Sequence, residues 1–165
     1  MPDLTLQRTS RGHYALGDIG ALRELRLFAA EIEAGGTSWR LRRALLGLGQ
    51  TVRATETAGG ERAAVYVPNG FLHLRGIYAG TIRQGDRRLI WRANRQLGSR
   101  WTLSEHDATL AHFSAGSQAQ PAHLSVENPA AVGSLLLLFC CHLVKQAADT
   151  AKVGSAVAVE VAGTQ

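Results

Sequence analysis

The chain has 165 residues, 45% of them hydrophobic and 19% charged, with a formal net charge of +5. That length fits one domain, and that composition excludes general disorder and collagen-like or low-complexity chains. The positive excess keeps nucleic acid and anionic lipid open as partner classes.

The N-terminus, Met1-Pro2-Asp3-Leu4, has no basic region leading into an apolar stretch, so no signal peptide is expected. From about residue 4 to residue 126 the chain reads as short strands separated by turns. Tyr14-Ala15-Leu16 is the first clear strand. Gly35-Gly36 joins a strand ending near Ala34 to one carrying Trp39 and Leu41. Leu72 and Leu74 alternate with His73 and Arg75. Leu89, Trp91 and Ala93 alternate with Arg88, Ile90 and Arg92. Trp101 and Leu103 alternate with Arg100, Thr102 and Ser104, and Leu124 and Val126 with His123 and Ser125. Period-two alternation predicts sheets with one buried face. Trp39, Trp91 and Trp101 are expected on that face, because arginines flank each of them.

Asn128 and Pro129 then form a helix start, with Asn as N-cap and Pro at the first helical position. The predicted helix spans about 129–152, with Gly154 as its stop. Between Leu135 and Val144 it is apolar on every side except at His142. A surface helix shows a stripe instead. The run is short of the roughly 20 residues a membrane span needs, so a buried core helix is expected and no transmembrane span. Leu136, Leu137, Phe139 and Leu143 are its candidate core residues. Beyond it, Val157, Val159 and Val161 alternate with Ala158 and Glu160, which predicts an extra strand or tail over 155–162.

Many short strands and one helix that needs hiding on all sides have a common solution. A closed antiparallel barrel with the helix threaded through it removes the sheet edges and coats the helix. The expected fold is therefore mainly β, a single domain over 1–165.

Several elements carry a resemblance: the Tyr14-Ala-Leu16 strand, the hairpin Glu31 to Leu41, the turn Arg100-Trp-Thr-Leu-Ser-Glu-His-Asp107, Leu110-Ala-His-Phe113 and the apolar helix. Together they resemble the tubby C-terminal-like superfamily, which includes LURP-one-related proteins and phospholipid scramblases, and in particular its small bacterial members. The resemblance covers about residues 4–152. It implies a twelve-stranded barrel around a central helix and a role at membranes, and it transfers no binding residue to this chain.

A rival pattern covers residues 20–53. Leu22, Leu25, Ala29 and Ile32 share one helical face, and Thr37 to Leu46 could follow as a second helix. That arrangement resembles the helix-turn-helix of LysR-type regulators and would make the protein a DNA-binding regulator. The β-rich flanks argue against it, so a nucleic-acid partner is not expected.

No catalytic constellation emerges. Ser104, His106 and Asp107 crowd one hairpin turn, where a triad geometry cannot form. Cys140, Cys141 and His142 are consecutive on a helix and point three ways, so they read as small core fillers beside one hydrogen-bonded histidine, with no metal site. The adjacent cysteines imply no disulfide framework, which favours a cytoplasmic setting. No cofactor is expected. The candidate ligand-binding residues are Arg87, Arg88, Arg92 and Arg95, in an arginine-rich stretch from Arg83 to Arg100 opposed by Asp86 alone. Guanidinium forks suit phosphate, so an anionic phospholipid or a protein partner is the expected target of a non-enzymatic binding or scaffold protein.

Overall fold

The computed structural model describes residues 2–26, 29–44, 51–69, 79–94 and 100–162, with side chains described to residue 151. Twelve strands follow in chain order. They are β1 (Asp3–Ser10), β2 (His13–Leu16), β3 (Gly20–Glu24), β4 (Ala29–Ala34), β5 (Thr37–Ala44) and β6 (Thr51–Glu56), then β7 (Arg62–Pro68), β8 (Ala79–Gln84), β9 (Arg87–Ala93), β10 (Arg100–Glu105), β11 (Ala108–Ala115) and β12 (Ala122–Val126). Each pairs antiparallel with its neighbours in sequence, and β1 pairs with β12 to close the barrel. Among the described strands closure leaves no edge, so none of them offers an open backbone ladder to another chain. The candidate strand at Leu72 and Leu74 lies outside the described residues.

The period-two patterns become the inner wall. Leu89 and Trp91 on β9, Trp101 and Leu103 on β10, and Leu124 and Val126 on β12 are all buried. Arg88, Arg92 and Arg100, one residue out of phase, are exposed. Turn chemistry matches: Gly35 and Gly36 take φ of 58° and 79° between β4 and β5, a left-handed pair that glycine adopts without strain.

Asn128 caps the helical segment as its type predicts. Its Oδ1 accepts from the Ala131 N–H at 3.2 Å, and Pro129 occupies the first turn. The helix is not continuous, however. α1 (Pro129–Val132) ends at Gly133, whose φ of 92° turns the chain, and α2 (Ser134–Ala162) then runs through the barrel. Every residue from Leu135 to Val144 is buried. Leu136, Leu137, Phe139 and Leu143 are fully covered, as expected. α2 runs nearest β3, β4, β11 and β12. The bulkiest inward side chains, Tyr66, Trp91 and Trp101, stand on strands farther from it. Gly20 on β3 makes the close approach possible, since a Cβ there would lie 2.8 Å from Leu138 Cδ1.

Two expectations need correcting, and the rival helix-turn-helix pattern falls. The segment 20–53 forms β3 to β6 where it is described, so no helix-turn-helix exists there. Leu22, Ala30, Ile32 and Leu41 are buried on alternating strand positions, and barrel closure outweighs a helical periodicity that was only apparent. The region 155–162 is helical, as the end of α2, in place of an extra strand. Gly154 inside a helix costs about 1 kcal/mol, too little to stop one already nucleated over many residues. Trp39 lies on the inward face of β5 beside buried Ile32, but it is only half-buried and packs on the margin of the core.

Candidate functional site

The arginines of β8 and β9 divide into two groups. Arg87, at the start of β9, is committed to the fold. Its Nε and Nη2 donate to the two carboxylate oxygens of Glu105 on β10, each at 2.9 Å. Its Nη1 donates to the Val132 carbonyl at 3.3 Å. The fork therefore ties the barrel wall to the end of α1, and it satisfies a helix-terminal carbonyl. The bond from Arg87 holds the Glu105 carboxyl below its ordinary range. Arg87 is thus a structural clamp and not an available ligand-binding residue. Sequence spacing could not show this, because Glu105 and Val132 meet it only across the closed barrel.

Arg88 and Arg92 do face outward and are exposed. Arg95 lies outside the described residues. Strand register gives Arg88 further company. Arg88 pairs with Arg83 on β8, Arg83 with Val65 on β7, Val65 with Arg53 on β6, and Arg53 with Arg42 on β5. Residues paired across a ladder share a face. Arg42, Arg53, Arg83 and Arg88 therefore form one row on the outer wall, interrupted only by Val65. At about 4.8 Å per strand, the row spans about 19 Å. All four are exposed, and among the described residues none has a carboxylate within ion-pair distance. By contrast, Arg23 and Arg40 both reach Glu31, at 3.1 and 3.9 Å.

A groove of about 430 Å³ crosses β6 to β8 along this row, lined by Arg53, Arg62, Arg83, Val65 and Val67 among others. Val67 is 42% exposed, the one large apolar side chain so exposed among the described residues. Among the described residues, no acidic one lines the groove.

The remaining constellations resolve as structure. His106 and Asp107 make the two-residue turn between β10 and β11, with His106 at φ 54°. Both are exposed, and neither bonds Ser104. Cys140 and Cys141 are free and fully buried, and burial pushes both thiols up, so neither is an activated nucleophile. Where α2 leaves the barrel, Lys145 pairs with Glu24 and, at 2.7 Å, with Asp149. Burial alone would lower the Lys145 ammonium. The bonds to Asp149 and Glu24 outweigh it and hold the pKa up.

His142 corrects an expectation. It is buried, but neither ring nitrogen has a hydrogen-bond partner. Burial, with Lys145 and Arg43 adding to it and Asp149 opposing, lowers its pKa from 6.5 to about 3. The sign of the pH effect follows. The unfolded imidazole takes a proton near pH 6.5 and the folded one does not. Stability is therefore fully present above pH 6.5 and declines as pH falls toward 3, by a few kcal/mol in all. The expected result is a fall in the urea midpoint between pH 6.5 and 4 that His142→Phe largely abolishes. An unchanged slope in that variant would assign the fall to other groups.

No family model, curated protein or solved structure matches this chain. Its functional reading rests on the residues themselves.

Proposed function

We propose that this protein is a non-enzymatic binding module that docks on anionic phospholipid surfaces through the outer wall of β5 to β9. The observation that carries the reading is the row Arg42, Arg53, Arg83 and Arg88, brought into register from four strands with no carboxylate of the described residues paired with it. Arg62 and Arg92 widen the row at its margins. A fold keeps like charges together at a cost in repulsion, and an anionic partner removes that cost. Val65 and Val67 in the midst of the arginines favour a lipid interface, where an apolar contact sits beside phosphate, over a duplex backbone. The barrel closed around a helix is also the layout that the tubby-like resemblance implies, and members of that superfamily act at membranes.

The magnitude is modest. Each basic residue near an anionic leaflet contributes about 1 kcal/mol, so four give weak binding that salt screens within roughly 8 Å at physiological strength. The protein should sediment with vesicles of phosphatidylcholine and phosphatidylglycerol at low salt and not with phosphatidylcholine alone. Replacing Arg53, Arg83 and Arg88 together by Gln should reduce that binding at least tenfold, while Arg23→Gln on β3, outside the row, leaves it unchanged. Equal binding to neutral vesicles, or full binding by the triple variant, would refute the reading. Tighter salt-dependent binding to duplex DNA through the same arginines would replace lipid with nucleic acid as the partner.

A further inference from the structure

Where α2 leaves the barrel, a cleft of about 400 Å³ opens between α2 and the ends of β3, β4 and β5. It is separate from the outer arginine row. His142, Gln146 and Thr150 of α2 line it, and Leu25 and Ala29, beside β3 and β4, give it an apolar part. The volume falls in the range of small-molecule sites.

Two features set the chemistry of this cleft. The first is a pair of unmet polar side chains. His142 is 5% exposed and neither ring nitrogen is bonded, while Gln146 Oε1 is buried and likewise without a partner. Thr150 does not serve them, because its hydroxyl donates to the Gln146 backbone carbonyl at 2.9 Å. Buried polar groups left unmet are costly, and those that persist in a fold call for a partner from outside it. His142 and Gln146 stand four residues apart, so they are neighbours on one face of α2, about 5–6 Å apart at Cβ. Burial keeps the imidazole neutral, so it presents one N–H and one bare nitrogen. A donor on His142 therefore lies beside an acceptor on Gln146, and both are open.

The second feature is charge. Glu24, Asp149 and Arg43 border the cleft. Lys145 bonds both carboxylates, and Arg43 has a partner of its own in the fold. Two cations balance two anions, and all four are engaged. An ion brought into the cleft would lose hydration and find no open counter-charge.

We infer that this cleft binds a small uncharged carboxamide with an apolar body. The amide head carries an N–H and a carbonyl side by side. Its N–H donates to Gln146 Oε1, and its carbonyl accepts from the imidazole N–H of His142. Leu25 and Ala29 receive the apolar body. A carboxylate or a ketone brings no donor for Gln146, and an alkylammonium brings no acceptor for His142. A lone hydroxyl must serve both groups from one atom, whereas the amide reaches them with two.

Five ligands that share one ring and differ in the head test this on the full chain: benzamide, benzyl alcohol, acetophenone, benzoate and benzylammonium, each at millimolar concentration. The readout is the His142 ring signals in NMR, assigned by their loss in His142→Phe, together with the melting temperature. Benzamide should shift those signals and raise the melting temperature. Benzyl alcohol and acetophenone should bind at least tenfold more weakly, and the two ions should do neither. Gln146→Leu should bring benzamide down to the level of acetophenone, a loss of about tenfold for one hydrogen bond, while the melt stays native. Should that variant fail to fold, the series of heads on the unaltered chain decides alone. No shift with benzamide would mean that the cleft holds only water and would overturn the inference. So would acetophenone, benzyl alcohol or benzoate matching benzamide, or unchanged benzamide binding in a natively melting Gln146→Leu.

Discussion

A chain ending at Asn128 will not fold. α2 supplies the filling of the barrel, with every side chain from Leu135 to Val144 buried, nine of them apolar and His142 the exception. Burying one large apolar side chain is worth about 1.5–3 kcal/mol, so losing this set exceeds the 5–15 kcal/mol that holds a whole domain folded. The inner wall loses as much again, because Leu22, Ile32, Phe113 and Leu124 would face water. The truncated chain should lack a cooperative melt and should aggregate. Leu137→Asp in the full chain tests the same point without shortening it. A carboxylate at that fully buried position has no partner and should lower stability by several kcal/mol. A soluble truncated chain that melts cooperatively would show a barrel able to close on its own.

Trp91→Ala should cost about 3–5 kcal/mol, measured as a shift in the urea midpoint at constant slope. Trp91 is fully buried, stacked on Trp101 with ring centroids 6.3 Å apart and set edge-on to Phe113 at 5.3 Å. It stands on β9, farther from α2 than β3, β4, β11 and β12 are, where only a large side chain fills the interior, so little can collapse into the gap. Each aromatic pair adds about 0.5–1.5 kcal/mol beyond burial, and the Trp91–Trp101 double variant should reveal that coupling. Trp39→Ala should cost distinctly less, since its ring is half-buried. Equal costs at the two positions would place Trp39 inside the core.

The fold was legible because two periodicities in the chain are unambiguous. Trp91 and Leu89 between arginines can satisfy a barrel wall, and the run Leu135 to Val144 can satisfy only a place with apolar neighbours on every side. Asn128 and Pro129 mark the helix start by local chemistry alone. The errors arose where local signals compete with long-range ones. Val157 to Val161 alternates like a strand, but it follows α2 without a turn strong enough to stop it. Leu22 to Ile32 mimics a helical face because strand spacing and a turn happen to match its period.

The site was less legible than the fold. Arg88 and Arg92 could be placed outward from Trp91 alone. Arg42 and Arg53 join them only through the register of β5 on β6, which no spacing in the chain reveals. Arg87 looked like its neighbours, yet the carboxylate and carbonyl that hold it come from β10 and α1. His142 was visible as the one polar residue in an apolar run. That its nitrogens lack partners depends on the walls around it, which sequence does not describe.

The most direct test of the binding face is a label placed on it. Val65 sits at the centre of the arginine row, and Gln7 on β1 lies half-way around the barrel and is exposed. Cys140 and Cys141 are buried, so a single cysteine at either position takes an environment-sensitive fluorophore selectively. On addition of phosphatidylglycerol-containing vesicles, the label at Val65 should shift to the blue and lose access to an aqueous quencher, while the label at Gln7 stays unchanged. A shift at Gln7 with none at Val65, or binding that alters neither, would contradict the account.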